Sequence, residues 1–291
     1  MRVGVVDIGT TSMRLLITAG VDEIGRWVEV TGLGKGVDQT GRLSEGAIEA
    51  TVSVLERYGK LMDEASTDRR LVIATSASRD AANREAFFDR CEAALGMRPT
   101  LITGEEEARL GYEGASSGLD LDSPLIVSDI GGGSTEVVWE EGSASVDIGS
   151  VRLTDRVLNE RPATKEDVAE ARALVRLLLE EVPELSGALV GVAGTWTSLA
   201  AMDLDLSAYD TEMVHGHSMS RERVEGLVRF LSRLTLEETE AIPSLDPKRA
   251  PVILAGAVVA AGVIEHLGAD AVVVSRRDTL DGAARRLLAL A

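Results

Sequence analysis

The chain has 291 residues, of which 45% are hydrophobic and only 3% aromatic, and its formal net charge is −18. This length and hydrophobic content suffice for two domains with aliphatic cores, which favours an α/β architecture. The strong negative charge argues against a broad face that binds nucleic acid. Cys91 is the only cysteine, so disulfides and thiolate metal cages within the chain are excluded.

The start of the chain and its most apolar segment bear on where the protein works. The run from Val3 to Ile8 is interrupted by Asp7, unlike a secretory signal. The apolar run from Val252 to Ile264 is shorter than the about 20 residues that span a bilayer, so we predict a buried helix. We therefore expect a cytoplasmic protein that binds neither membranes nor nucleic acid.

Apolar periodicity and capping residues predict alternating strands and helices in the first half of the chain. A strand, a turn and a second strand occupy Val5 to Ile17. Ser44 is a suitable N-cap for a helix whose apolar residues recur at three- and four-residue spacing from Ala47 to Met62. A short buried strand from Leu71 to Ala74 leads into a polar loop, and a helix from Asn83 to Leu95 is closed by a glycine.

The second half of the chain continues this alternation. Thr164 caps a helix that runs to Glu180, and a strand from Ala188 to Val192 leads into a glycine-rich turn. The remaining signals are helix caps at Ser220 and Thr235, a helical region opened by Asp246-Pro247, a strand from Ala271 to Val274 and a helix from Asp281 to Leu290. Such alternation is typical of α/β folds.

Two segments of the chain repeat one another. Val5 to Ser12 reads Val-Val-Asp-Ile-Gly-Thr-Thr-Ser, and Val127 to Ser134 reads Val-Ser-Asp-Ile-Gly-Gly-Gly-Ser. The alignment needs no gap and matches Asp7 with Asp129. A duplicated domain with one hairpin in each half explains it, and we expect a ligand cleft between the halves. Symmetry places the domain boundary between residues 122 and 123.

The two Asp-Ile-Gly turns are the strongest candidates for phosphate binding. Small residues after a strand end leave backbone N–H groups free to surround phosphate oxygens, and neighbouring hydroxyls add donors. One such turn alone could be an ordinary hairpin, but two in register favour a pair of phosphate loops. Because carboxylates repel phosphate, Asp7 and Asp129 fit best with Mg²⁺ between acid and phosphate.

Three consecutive glutamates follow Thr103 at the start of a predicted helix. Thr103 and Glu106 match a capping box, and Glu105 complements the helix dipole. Glu107 is not needed by the cap. It is therefore our candidate for the general base that polarises the attacking water, with a solvated first-turn acid as the alternative.

Two arginines and one further turn are weaker candidates for phosphate contacts. Arg79 follows a strand end, and Arg14 lies at the start of a return strand, where a charge is unexpected unless it faces a ligand. Either arginine could instead form a surface ion pair. The turn that contains Gly194 and Thr195 could receive a phosphate or serve only as a tight connection.

Other common site motifs are absent from the sequence. His215 and His217 are two residues apart, but no third ligand nearby supports a zinc site. No lysine is followed by Ser or Thr, which excludes a Walker A loop, and no Gly-x-Gly-x-x-Gly turn enters a helix. P-loop NTPases and Rossmann dehydrogenases are therefore disfavoured.

Six blocks spread over nearly the whole chain resemble the family of exopolyphosphatases and guanosine pentaphosphate phosphohydrolases, within the actin, Hsp70 and sugar-kinase superfamily. They are Val6 to Ser12, Ala74 to Asn83, Thr103 to Arg109, Ser128 to Glu136, Gly191 to Thr195 and Val214 to His217. The resemblance implies two actin-like (ribonuclease H-like) α/β domains, with mixed sheets flanked by helices and a central cleft. It also implies that the terminal helix joins the first domain, giving residues 1–122 with 280–291, and 123–279.

The resemblance also implies roles for individual residues. Glu107 matches the catalytic base, and Asp129, Asp7 and Glu136 form the expected Mg²⁺ set. The expected phosphate contacts are Gly9, Thr10, Thr11, Ser12, Arg79, Asn83, Gly131, Gly132, Gly133, Ser134, Thr135, Gly194 and Thr195.

The chain departs from the family pattern at two places. It has Thr10-Thr11-Ser12 where Ser-Asn-Ser is common, and Asp278 to Gly282 lacks the arginine usual there. We predict a Mg²⁺-dependent exopolyphosphatase that prefers short chains of inorganic polyphosphate. The alternatives are a guanosine pentaphosphate phosphohydrolase, a sugar or acetate kinase whose acceptor pocket we do not find, and a non-catalytic nucleotide or alarmone sensor. The oligomeric state is left open, with a homodimer among the alternatives.

Overall fold

The computed structural model describes every residue except Val21, Gly118, Asp120, Asp122, Ser123 and Ala291. The chain divides into two compact units, one formed by Met1–Gly114 with Thr279–Ala291 and the other by Ala115–Asp278. The boundary that symmetry suggested, between residues 122 and 123, lies outside the described residues.

The first unit is a five-stranded sheet with helices around it. Its strands are β1 (Arg2–Ile8), β2 (Ser12–Ala19), β3 (Asp22–Val30), β4 (Arg69–Ala74) and β5 (Thr100–Leu101). Its helices are α1 (Val37–Thr40), α2 (Glu45–Glu64), α3 (Ser76–Asp80), α4 (Arg84–Leu95), α5 (Gly104–Ala115) and, from the end of the chain, α13 (Thr279–Ala289).

Local sequence signals account for the long helices of this unit. Ser44 Oγ accepts the N–H of Ala47 at 3.3 Å and so caps α2, and the buried side chains of α2 recur at helical spacing. Gly96 ends α4 with a φ of 71°, a conformation that suits glycine. The apolar side of α13 packs on the sheet, with Leu280 and Ala283 fully buried beside Val5.

The second unit is a six-stranded sheet with helices around it. Its strands are β6 (Leu125–Ile130), β7 (Thr135–Trp139), β8 (Gly142–Val146), β9 (Ala188–Val192), β10 (Ser218–Ser220) and β11 (Ala271–Val274). Its helices are α6 (Ser150–Arg156), α7 (Lys165–Leu179), α8 (Ala193–Asp203), α9 (Thr211–Val214), α10 (Arg221–Ser232), α11 (Leu236–Glu240), and α12 (Ala250–His266), which a 3-10 turn (Pro247–Arg249) precedes.

The two sheets share one topology. The first has the order β3-β2-β1-β4-β5, and the second has β8-β7-β6-β9-β11 with β10 added at its edge. In each, three strands form an antiparallel meander, and the fourth strand pairs parallel with the first. The predicted fold class, two actin-like α/β halves with mixed sheets flanked by helices, is confirmed, and the shared topology matches the predicted duplication.

The apolar run near residue 260 forms the core helix α12. The stretch Pro247–His266 is long and apolar enough to cross a membrane by composition alone, but 67% of its apolar window is buried within the protein. Gly262 lets α7 approach closely, because a β-carbon there would lie 2.5 Å from Val175 Cγ1. The stretch is therefore explained as the central helix of the second unit.

Candidate active site

The two Asp-Ile-Gly segments fold into turns of the same geometry. In the first unit the N–H of Gly9 donates to the carbonyl of Ser12 at 3.1 Å, and in the second the N–H of Gly131 donates to the carbonyl of Ser134 at 3.0 Å. A β-carbon on Gly9 would lie 2.8 Å from that carbonyl oxygen, and one on Gly131 would lie 3.2 Å from its counterpart. Close backbone approach is therefore the reason for glycine at both positions.

In the second turn, the carbonyl groups point toward the start of α6. Backbone N–H groups of α6 donate to the carbonyl of Gly131 at 2.9 Å and to that of Gly132 at 2.8 and 3.1 Å. The C=O and the following N–H of a planar trans peptide point in opposite directions. The N–H groups of Gly132 and Gly133 therefore point away from α6, as an anion site built from backbone amides requires.

The first turn orients its peptides in the same way. The carbonyl of Thr10 accepts the N–H of Gly34 at 2.9 Å, and the carbonyl of Thr11 accepts two loop N–H groups at 3.1 and 2.9 Å. The N–H groups of Thr11 and Ser12 consequently point away from that loop. Both repeats thus orient two successive amides by satisfying the carbonyls behind them.

The threonine hydroxyls near these turns differ in their hydrogen bonds. Thr10 Oγ1 accepts the N–H of Ala77 at 3.3 Å, and the buried Thr11 Oγ1 has no hydrogen-bond partner among the described residues. Thr135 Oγ1 donates to a backbone carbonyl at 2.5 Å, and Thr195 Oγ1 does so at 2.8 Å. Thr135 and Thr195 therefore use their hydroxyl protons within the fold, which argues against them as side-chain donors to phosphate. Thr10 and Thr11 keep their hydroxyl protons, so their phosphate contacts stay predictions beside those of the backbone amides.

The acids before the two turns lie in different electrostatic surroundings. Asp7 is directly opposite Arg14 in the β1–β2 register, and Arg14 Nε donates to its carboxylate at 3.0 Å. Asp129 is directly opposite Glu136 in the β6–β7 register. The aspartate of the repeat is thus paired with an arginine in the first unit and with a glutamate in the second unit.

The pair formed by Asp129 and Glu136 suits a divalent cation. Both residues are buried, at 7% and 1% exposure, and directly opposite residues in a sheet have β-carbons about 4.5–5.5 Å apart. Glu136 Oε1 accepts a hydrogen bond from Ser145 Oγ at 2.9 Å. Two buried carboxylates side by side repel each other unless a cation lies between them.

These two acids do not form a complete metal cage by themselves. Among the described residues, no group of three or more His, Cys, Asp or Glu side chains is arranged to hold a metal. Mg²⁺ commonly keeps several waters and binds through one or two carboxylates together with substrate phosphates. Asp129 and Glu136 fit that kind of site. Asp7 fits it less well, because Arg14 balances its charge.

Glu107 lies in the first turn of α5, outside the cap. The predicted capping box is present: the N–H of Thr103 donates to Glu106 Oε2 at 2.9 Å, and the N–H of Glu106 donates to Thr103 Oγ1 at 3.1 Å. The Glu107 side chain is only 13% exposed, and its Oε2 accepts from Arg79 Nη1 at 2.9 Å. Glu107 is therefore held in one orientation, with only a small part of its side chain open to solvent.

Burial raises the pKa of the Glu107 carboxyl above its ordinary value. The Arg79 guanidinium opposes this rise in pKa, the negative charge of Asp7 adds to it, and Arg14 opposes it more weakly. The upward direction fits a general base, since a carboxylate of raised pKa accepts a proton more readily.

Two predicted phosphate contacts have other partners. Both ends of the Asn83 amide bond to the backbone of Leu43, with Oδ1 accepting at 2.9 Å and Nδ2 donating at 3.0 Å. Asn83 therefore joins two loops, and its predicted phosphate contact stays a prediction. Arg79 orients Glu107 and also donates to the carbonyl of Ile102 at 3.0 Å.

The sequence analysis missed Arg249. A β-carbon on Gly194 would lie 2.2 Å from Arg249 Nη1, so only glycine allows this guanidinium to lie against the start of α8. Arg249 belongs to the 3-10 turn that precedes α12, 55 residues after Gly194. The available signal was a glycine at a strand-to-helix turn, but nothing in the sequence indicated which side chain covers it.

These features define a phosphate-handling enzyme built on two α/β units. The model of the Ppx/GppA phosphatase family matches residues 18–286. The chain belongs to this family, which confirms the predicted family and the predicted hydrolase class.

Named relatives and solved structures agree with this assignment. The chain is 40% identical to exopolyphosphatase 2 of Mycobacterium tuberculosis, with 98% of both chains covered. It is 27% identical to a guanosine-5'-triphosphate,3'-diphosphate pyrophosphatase of Photobacterium profundum, over 82% of this chain and 52% of that one. The crystal structure of the Aquifex aeolicus family member superposes with a TM-score of 0.84 at 33% identity, covering 100% of this chain and 98% of that chain.

Proposed function

We propose that this protein is an exopolyphosphatase that releases terminal orthophosphate from inorganic polyphosphate. The observation that carries the proposal is the state of Glu107. Arg79 holds its carboxylate, its side chain is largely buried, and the pKa of its carboxyl is raised. The name of the Mycobacterium tuberculosis relative, which the chain covers almost completely, supports the substrate.

Glu107 acts as the general base. As the water oxygen bonds to the terminal phosphorus, the Glu107 carboxylate takes a water proton, and the bridging P–O bond breaks. Orthophosphate is released, and the shortened chain keeps the bridging oxygen. Arg79 fixes the orientation of the carboxylate, which favours proton transfer from one direction.

Phosphate oxygens are bound mainly by backbone N–H groups. The first unit offers the amides of Thr11 and Ser12, and the second offers those of Gly132 and Gly133, all oriented by the carbonyl bonds described above. Arg249, placed over the Gly194 turn, adds a positive charge in the second unit. Fixed amides stabilise developing negative charge without having to reorganise during the reaction.

Asp129 and Glu136 would hold Mg²⁺. When bound, the ion neutralises charge on the phosphate oxygens and so favours attack by water. Asp7 is left out of this metal set because its charge is balanced by Arg14. A preference for short chains is part of the proposal, since a net charge of −18 repels a long polyanion while local donors attract only its terminal groups.

The second candidate is a guanosine pentaphosphate phosphohydrolase. The similarity to the Photobacterium profundum pyrophosphatase favours it, because the same groups could act on a terminal phosphate of a nucleotide. A sensor without turnover is the weaker alternative, since the base and the acid pair are all present.

Phosphate release from short polyphosphate, long polyphosphate and guanosine pentaphosphate decides between these substrates. We expect kcat/KM to be highest for short polyphosphate, and we expect turnover to require Mg²⁺. A higher kcat/KM for guanosine pentaphosphate would transfer the assignment to the second candidate. Absence of Mg²⁺-dependent release from all three substrates would refute both enzymatic proposals.

A further inference from the structure

The loop that follows β3 lies against the first Asp-Ile-Gly turn and carries an exposed lysine. The N–H of Gly34 donates to the carbonyl of Thr10 at 2.9 Å. A β-carbon on Gly34 would lie 2.2 Å from Thr10 Cγ2, so this loop and the turn are in close contact. Lys35 follows Gly34 directly and is exposed. Lys35 therefore lies next to a turn whose backbone amides are proposed to bind phosphate.

Two arginines flank a hydrogen-bonded connection further along the same loop. Both ends of the Asn83 amide bond to the backbone of Leu43, with Oδ1 accepting at 2.9 Å and Nδ2 donating at 3.0 Å. Arg42 precedes Leu43 in the chain, and Arg84 follows Asn83. The backbones of the two arginines are therefore held close to each other, although the residues are 42 positions apart in the sequence.

Arg84 also connects this region to the residue that holds Glu107. Its Nη1 donates to the carbonyl of Arg79 at 3.3 Å, and Arg79 belongs to α3, which follows β4. The first turn follows β1, and β1 and β4 are parallel neighbours. The turn and α3 consequently lie at the same edge of the first sheet, where α/β folds bind their ligands.

The three cations of this edge are weakly held or have no partner. Lys35 and Arg42 are both exposed, and neither side chain has a hydrogen-bond or ion-pair partner within the part of the chain that the structure describes. Arg84 pairs with Glu85 at 3.3 Å, and the two side chains are 41% and 67% exposed. Because ion pairs this exposed contribute little, a polyanion can compete with Glu85 for Arg84.

We propose that Lys35, Arg42 and Arg84 form a basic corner, which binds phosphate groups of polyphosphate behind the terminal one. The basic corner rests on the proposed function, because it assumes that the terminal phosphate binds at the neighbouring turn. In a chain of net charge −18, a corner of exposed cations is a local exception that attracts polyanions. Three cations can pair with only a few phosphates, so the gain in affinity ends within a short chain, in keeping with the proposed length preference.

Binding measurements test the basic corner without turnover. Isothermal titration of the intact protein, without Mg²⁺, compares the affinities for linear octaphosphate and for pyrophosphate. We expect Lys35→Gln and Arg42→Gln each to weaken octaphosphate binding about fivefold, as for one exposed charge-assisted contact. Arg42→Gln should leave pyrophosphate binding unchanged, because pyrophosphate is too short to reach from the turn to the far part of the corner.

Lys60→Gln is the matched control. It removes the same charge from an exposed position of the same unit, about 24 Å along α2 from the N-cap Ser44. Octaphosphate binding in this variant should equal that of the wild type. An equal loss of affinity in Lys60→Gln would show that net charge alone governs binding and would overturn the basic corner.

The salt dependence of binding separates a direct contact from a structural effect. Loss of one contacting cation should reduce the slope of log Kd against log salt concentration by about 0.7, as for single-stranded polyanions, while the melting temperature stays the same. Wild-type octaphosphate affinity in Arg42→Gln, or no binding of octaphosphate to the wild type, would overturn the basic corner even if phosphate is released from polyphosphate. If the expected binding pattern appears without phosphate release, the basic corner stands and the exopolyphosphatase proposal fails.

Discussion

The substitution Glu107→Gln tests the proposed base most directly. Glutamine has nearly the same shape, and its carbonyl oxygen can still accept the hydrogen bond that Arg79 donates at 2.9 Å. Its amide cannot take a proton from water. We expect kcat to fall by roughly 10²–10⁴-fold, or about 2.7–5.4 kcal/mol in barrier height, with little change in KM.

The pH dependence of the wild type provides a second measurement of the same group. Glu107 acts only when deprotonated, so kcat/KM falls as the pH drops through the raised pKa of its carboxyl. This acidic limb should lie at higher pH than an ordinary glutamate would give. In Glu107→Gln the residual activity should lose this limb.

The free energy of unfolding should depend on pH in a direction that follows from the raised pKa of Glu107. Because the folded-state pKa of Glu107 is raised above its unfolded value, its contribution to stability is fully present below the unfolded pKa and is lost as the pH rises through the folded pKa. Glutamine does not titrate. The stability of Glu107→Gln relative to the wild type should therefore increase with pH across this window, as urea unfolding can measure.

Glu106→Gln is the matched control. Glu106 is the neighbouring glutamate, exposed and engaged with Thr103 in the helix cap. Its substitution should cost some helix stability and leave turnover within about twofold, since it takes no part in the proposed proton transfer. Wild-type turnover in Glu107→Gln, or an equal loss in Glu106→Gln, would refute the assignment of Glu107 as the base.

Three further predictions concern the metal, the packing of the first unit and the length of the substrate. Asp129→Asn should raise the half-saturating Mg²⁺ concentration with little change in melting temperature; an unchanged Mg²⁺ requirement with a large melting shift would assign Asp129 to packing. Gly282→Ala places a β-carbon 2.0 Å from the carbonyl oxygen of Leu110. Urea unfolding should therefore show a free energy of unfolding that is lower by about 1–3 kcal/mol. In the control Gly226→Ala the new β-carbon lies 3.8 Å from its nearest neighbour, so this variant should be as stable as the wild type or more stable. Activity should favour short polyphosphate at fixed ionic strength and free Mg²⁺. Moderate salt should raise activity on long chains more than on short ones. A KM that falls steadily with chain length would require an extended basic track and would contradict the electrostatic reasoning.

Local patterns predicted much of the fold. The two Asp-Ile-Gly segments indicated hairpins, and the structure contains β1–β2 and β6–β7 there. The caps at Ser44 and Thr164 precede α2 and α7, and the capping box at Thr103 is formed. Each of these signals depends on residues within a few positions of one another, which is why sequence spacing is sufficient to find them.

The sequence could not predict features that depend on distant partners. Asn83 bonds to the backbone of Leu43, 40 residues away, and Arg249 covers Gly194, 55 residues away. The hydroxyl of Thr10 is drawn to the N–H of Ala77 in the same way. Composition suggested hydroxyl donors for phosphate, but long-range packing decides where a hydroxyl points, and the hydroxyls of Thr135 and Thr195 donate to backbone carbonyls instead.

The repeat also bears on why the proposed Mg²⁺ site lies in one unit and not in the other. Both units place an aspartate at the same position, and the residue directly opposite decides its chemistry. Arg14 neutralises Asp7, so the first unit can bury this acid without an external cation. Glu136 adds a second negative charge beside Asp129, so a cation held by both carboxylates would lower the cost of burying the pair. A single difference between the two hairpins, arginine in one and glutamate in the other, thus gives the two aspartates different roles. Asp7 helps to raise the pKa of the Glu107 carboxyl, whereas Asp129 belongs to the proposed metal site.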